Sequence, residues 1–98
     1  MFRVIYEWHV PSEKMDEFQN VWRSVTDNIH HSVAGALGSF MVRSSDTPDK
    51  VLTIAKWRAR EDWELFWQNS NPEKMQKMRA IAKRISVETF DEIEDRTR

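Results

Sequence analysis

Phe2-Arg3-Val4-Ile5-Tyr6-Glu7-Trp8-His9-Val10 alternates strictly in character. Successive side chains of an extended chain point to opposite faces, so Phe2, Val4, Tyr6, Trp8 and Val10 share one side, and Arg3, Ile5, Glu7 and His9 share the other. The stretch is predicted to be a strand with one strongly apolar face, and the rest of the chain must supply what covers it. Pro11-Ser12 then opens a helix, with Ser12 as its predicted N-cap and Glu13, Asp16 and Glu17 near the positive end of its dipole. Met15, Phe18, Trp22, Val25 and Ile29 follow at helical steps and make one apolar stripe about five turns long, with Trp22 at its middle.

The two glycines, Gly35 and Gly38, punctuate the stretch after Val33, which ends the helix near Val33 or Ala34. A second strand is predicted from Gly38 to about Ser45. Ser44 to Asp49 carries turn chemistry, and a third strand from Val51 to Arg58 completes a hairpin. Arg60 to Gln68 reads as a short amphipathic helix with Trp63, Phe66 and Trp67 on its stripe. Asn71-Pro72 reads as N-cap and first position of another helix with the stripe Met75, Met78, Ala82 and Ile85. A last strand from about Ser86 to Glu94 precedes a polar tail, Asp95 to Arg98, expected to fray.

The order β-α-β-β-α-β predicts an α+β, ferredoxin-like protomer: a four-stranded antiparallel sheet with its helices on one face. The other face, carrying Ile5 and alternate residues of the other strands, is left bare, and a second subunit is expected to cover it.

The 98 residues are read as a single domain, residues 1–98. A formal net charge of -1 creates no field for polyanions or anionic lipid, and no apolar run approaches the ~18 residues that cross a bilayer. Without a charged leader ahead of an apolar segment, the expected setting is cytoplasmic, with neither membrane nor nucleic acid as partner. The absence of cysteine removes disulfide and thiolate chemistry. Five tryptophans, Trp8, Trp22, Trp57, Trp63 and Trp67, remain to be explained. Each can bury roughly 150 to 250 Å², on the order of 4 to 6 kcal/mol gross apiece.

Metal chemistry finds little support: His30 and His31 diverge by about 100° on a helix, and His9 stands alone, so solvated histidines are the expectation. The serines lie in turns and caps without a nucleophile elbow. Gly35-Ala36-Leu37-Gly38 has the spacing of a nucleic-acid-clamping loop, but it joins a helix to a strand and carries no charge. The RNA-recognition domains that share this element order need a glycine and spaced aromatics on strand three, which Val51 to Trp57 lacks. The stripes do permit a pocket between sheet and helices, walled by Tyr6, Trp8, Trp22, Trp63 and Trp67, although aromatics at core spacing are more often simply core. A buried Tyr6 phenol would need a hydrogen-bond partner, and Arg43 is a candidate counter-charge or a solvated strand arginine.

Tyr6-Glu7-Trp8, Trp22, Gly35-Ala36-Leu37-Gly38-Ser39, Arg43, and Trp57 followed by Arg60-Glu61-Asp62-Trp63 together resemble the antibiotic biosynthesis monooxygenase (ABM) domain of the dimeric α+β barrel superfamily. The resemblance runs over roughly residues 2 to 67 and implies a homodimer formed through the open sheet face. One branch of that family consists of cofactor-independent monooxygenases that oxidise dihydroxylated polycyclic aromatics to quinones. Another degrades haem through an asparagine, a tryptophan and an iron-ligating histidine. Here Tyr6 stands at the asparagine position, Trp67 matches the tryptophan, and no histidine follows His31, so the second half of the chain offers no histidine to haem iron. The resemblance therefore implies a monooxygenase with neither metal nor cofactor, acting on a small flat aromatic. Tyr6 is expected to be catalytic, and Trp22, Arg43, Trp63 and Trp67 to bind substrate. The alternative is a non-enzymatic dimeric module that binds a small hydrophobic molecule.

Overall fold

The computed structural model describes residues 1–69 and 71–97, with residues 71–74 described by their backbone. The elements are β1 (Phe2–His9), α1 (Met15–Ser32), β2 (Ala36–Arg43), β3 (Lys50–Trp57), α2 (Arg60–Asn69), α3 (Asn71–Ile81) and β4 (Lys83–Asp91). All strand pairings are antiparallel, in the order β2-β3-β1-β4, so the expected α+β ferredoxin-like arrangement forms with β1 inside the sheet. Two helices, α2 and α3, make the second crossover, as the two stripes after Arg60 predict.

The alternation of β1 is carried out in the packing. Phe2, Val4, Tyr6 and Trp8 are buried, while Arg3, Ile5 and Glu7 are partly exposed and His9 is exposed. The register aligns Tyr6 with Thr53 on one side and Val87 on the other, and Trp8 with Val51 and Arg84. Onto this face the helices bring their aromatic stripes: Phe18 of α1 lies 5.2 Å from Trp8, and Phe66 of α2 lies 5.3 Å from Trp57, centroid to centroid. Trp57, at the end of β3, is thus a core residue. The indole of Trp8 is fully enclosed, and its Nε1 donates to Thr53 Oγ1 at 3.1 Å, which satisfies the polar atoms of both.

Several boundaries differ from the sequence reading. Ser12 does not cap α1: a 3-10 turn over Ser12–Lys14 precedes it, closed by the Lys14 amide donating to the Pro11 carbonyl, and no side chain caps either segment. α1 ends at Ser32, and β2 begins two residues before Gly38, which sits at φ +105° in a register irregularity between Ala36 and Ser39. The last helix stops at Ile81, so Ile85 belongs to β4 and not to a helix stripe. The predicted cap at Asn71-Pro72 lies outside the described side chains. The described part of the tail is tethered: Arg3 Nε donates to Glu92 Oε1 at 2.7 Å, Arg3 Nη2 reaches Asp95 at 3.4 Å, and the Glu92 amide donates to the Met1 carbonyl.

On the far side of the sheet no element of the described chain covers the strands. Ile5, Ile54 and Phe40 stand in one row across β1, β3 and β2, with Leu52 and Val42 in the next. Phe40 is 51% exposed. Among the described residues no helix is long and apolar enough to cross a membrane.

Candidate functional site

β1 delivers the Tyr6 side chain to the helix side of the sheet, and α2 meets it with two tryptophans one turn apart. Trp63 Nε1 donates to Tyr6 Oη at 3.2 Å. The Trp67 ring lies 6.2 Å from that of Tyr6 and 5.2 Å from that of Trp63. Burial pushes the Tyr6 phenol up to about 12, with the Trp63 hydrogen bond and the positive charge of Arg84 pulling the other way. Tyr6 is therefore a neutral phenol at physiological pH. Its oxygen already accepts one bond, and its own proton has no acceptor among the described residues.

Arg84 of β4 places its guanidinium 5.1 Å from the centroid of the Trp67 ring. Its Nη1 is buried without a hydrogen-bond acceptor, and no carboxylate pairs with it among the described residues. Burial holds its pKa below the usual arginine value, Arg79 adds to that, and Tyr6 opposes it. The result is a cation lodged against the face of Trp67 and short of acceptors among the described residues, at the Tyr6 end of the core.

Tyr6 also borders a cavity between α1 and the β2–β3 part of the sheet. α1 contributes Trp22, Val25, Thr26, Ile29 and His30, β2 contributes Ala36, Gly38 and Ser39, and β3 contributes Thr53, Ala55, Lys56 and Trp57. Phe66, Met75 and Met78 close it from α2 and α3. The cavity encloses about 50 Å³. That space holds a few waters, and a flat aromatic ligand needs the walls to part. Those walls are mostly apolar. Trp57 Nε1, at the cavity, is buried without an acceptor among the described residues.

The structure thus brings Tyr6 and Trp22 to one cavity, from its sheet wall and its α1 wall. Trp63 and Trp67 stand behind Tyr6 instead of lining the cavity. Arg43 is elsewhere: exposed at the end of β2, it donates from Nε to the Pro48 carbonyl at 2.6 Å and holds the β2–β3 turn. It is not among the described residues that border the cavity. Arg84 escapes the sequence reading because a helical pattern runs through it. A bulge in β4 opposite Glu7 and Trp8 separates the inward residues Arg84 and Val87 by three positions, a helical spacing. His30, read as solvated, is exposed and stands at the border of the cavity. Among the described residues no three His, Asp or Glu side chains converge as a metal site would require.

A family model described as antibiotic biosynthesis monooxygenase matches residues 1–84. No curated protein matches the sequence. Among solved structures, a mutant of SnoaB from Streptomyces nogalater, described as a cofactor-independent oxygenase, superposes with a TM-score of 0.79 at 13% identity, covering 99% of this chain and 97% of that one. A candidate antibiotic biosynthesis monooxygenase from Bordetella bronchiseptica gives 0.80 at 14% identity over 94% and 96% of the two chains. One from Nitrosomonas europaea gives 0.74 at 14% identity over 96% and 100%. At these identities the superpositions establish the fold.

Proposed function

The chain belongs to the antibiotic biosynthesis monooxygenase family, and from that premise we propose that it is a cofactor-independent monooxygenase acting on a small flat phenolic substrate in the cavity beside Tyr6. The observation that carries this reading is the state of Tyr6, a buried neutral phenol, fixed by Trp63 and left with a proton to donate at the wall of an apolar cavity. Oxidation of an anthrone-like methylene by O₂ requires no redox group from the protein. The substrate loses a proton, and its enolate passes an electron to O₂. The radical pair combines to a carbon-bound peroxide, which loses water and leaves a carbonyl. One oxygen atom ends in the quinone and the other in water. Such a sequence asks the protein to orient the ring, stabilise the enolate oxygen and exclude bulk water.

In this role Tyr6 donates its hydrogen bond to the anionic oxygen, so it acts as a stabiliser of charge and not as the base. Trp22 forms a wall for the ring, Trp63 and Trp67 hold the phenol in place, and the positive charge of Arg84 favours the anion from behind them. Arg43 has no part in it. Two copies are proposed to associate through the bare sheet face, where Phe40, Ile54 and Ile5 make a continuous apolar row.

The narrowness of the cavity favours a second reading, a dimeric module without enzymatic activity whose aromatics pack mainly on one another. Oxygen uptake with anthrones and dihydroxynaphthalenes separates the two. Consumption of O₂ with matching formation of quinone supports the enzyme, with Tyr6→Phe slower by about 10²-fold, the typical loss for one such donor. No uptake across a broad panel supports the binding module.

A further inference from the structure

The proposed oxidation begins with removal of a proton from the substrate, and neither Tyr6 nor the tryptophans around it can take that proton. Tyr6 keeps its own, and its oxygen is occupied by Trp63. Among the described residues that border the cavity the other titratable ones are His30 and Lys56, and Lys56, in register with Arg3, turns its side chain to the opposite face of the sheet. A lysine ammonium has no lone pair to offer, whereas a neutral imidazole does, and histidine is the side chain that ordinarily exchanges protons near neutral pH.

We propose that His30 is the base of this site, a role that rests on the monooxygenase reading above. His30 lies in the last turn of α1, one turn beyond Thr26, and both border the cavity. It is exposed to solvent, so it can exchange its proton with water between turnovers. No carboxylate pairs with it among the described residues. On its own helix Asp27 and His31 are its titratable neighbours, and the His31 ring lies 5.9 Å from its own in a stacked arrangement. Across the cavity stands Tyr6 of β1, while the Lys56 side chain of β3 lies on the far face of the sheet with Arg3. β2 brings Gly38 and Ser39 to the cavity, and α3 brings Met75 and Met78.

The proton balance closes on the same residue. The imidazole accepts the substrate proton as the enolate forms, and the imidazolium returns it to the peroxide anion once O₂ has added. The remaining proton on that carbon then leaves with hydroxide as water. His30 thus works at the cavity mouth, and Tyr6 holds the oxygen from the opposite wall.

A chromophoric phenol tests this apart from turnover. 4-Nitrophenol is titrated against the protein at pH values below its free ionisation midpoint, and the phenolate absorbance of the bound form is read. With His30 as acceptor, bound probe ionises at least tenfold more than free probe. His31→Gln keeps that gain and His30→Gln loses it while still binding. In oxygen uptake, His30→Gln is expected to lower kcat at neutral pH by about 10² to 10⁴-fold, the usual worth of a general base, with KM little changed, and to recover as rising pH ionises the substrate itself. Equal ionisation and equal kcat in wild type and His30→Gln overturn the role of His30 and leave the monooxygenase reading standing. Wild-type protein that neither binds the probe nor consumes O₂ overturns both.

Discussion

Alkaline pH isolates Tyr6 more cleanly than any substitution, because it is the sole tyrosine of the chain. Its phenol ionises at about 12 in the folded protein against an ordinary value of 10.0. Below the ordinary value both folded and unfolded chains carry the proton, and this residue adds no pH dependence. Between 10.0 and about 12 the unfolded chain releases the proton while the folded chain retains it, so rising pH draws the equilibrium toward unfolding. The loss amounts to about 1.4 kcal/mol per pH unit, or roughly 3 kcal/mol across the window. Against the roughly 5 to 15 kcal/mol typical of a domain that is a large fraction. Urea unfolding of wild type and Tyr6→Phe at a series of alkaline pH values measures it, since lysines and arginines titrate alike in both and cancel in the difference. The two stability curves should converge above pH 10, and the phenolate absorbance of the folded protein should stay low until close to 12. A phenolate signal that rises near 10 in the folded state, or stability curves that run parallel, would refute the burial argument on which the role of Tyr6 depends.

Gly35 lies at φ +83°, and a Cβ there would overlap the side chain of Asp62, which Arg58 holds by two hydrogen bonds; Gly35→Ala should cost about 2 to 4 kcal/mol in urea unfolding. Gly38 shares the positive φ but has no neighbour within 4 Å of a Cβ, so Gly38→Ala should cost only the backbone strain, about 1 to 2 kcal/mol, and equal losses at the two glycines would contradict the role given to Asp62. Thr53→Val removes the acceptor of the enclosed Trp8 indole, and a loss of about 1 to 3 kcal/mol in thermal or urea unfolding is expected for the orphaned N–H. For the sheet face, sedimentation at micromolar concentration should give a dimer for wild type and a monomer for Phe40→Arg; a monomeric wild type would remove the proposed association.

Much of this fold was legible because its first strand is one-sided. Once Phe2 to Val10 is read as a strand with a buried face, the stripe of α1 and the aromatics of α2 have only one surface on which to pack. The end of α3 was not legible, for a local reason. The β4 bulge gives Arg84 and Val87 a spacing of three, and Met78, Ala82 and Ile85 continue a helical pattern across the true boundary. That single displacement concealed Arg84. The site itself depends on partners distant in sequence: Trp63 and Tyr6 lie 57 positions apart. Arg43 illustrates the converse. Periodicity gives its place on a strand, but only the turn geometry reveals that its Nε is bonded to the Pro48 carbonyl.

The interior position of β1 also bears on how the molecule comes to be made. β1 draws both its neighbours, β3 and β4, from parts of the chain synthesised after it, and β4 does not begin until Lys83. Until then one edge of β1 has no strand beside it, and its backbone is open to pairing with another chain. Sheet closure must therefore await the synthesis of β4, with long-range pairing of the slow kind. A premature stop before Lys83 would leave the most buried strand of the protein as an edge, which makes aggregation of the fragment a more immediate hazard than loss of activity.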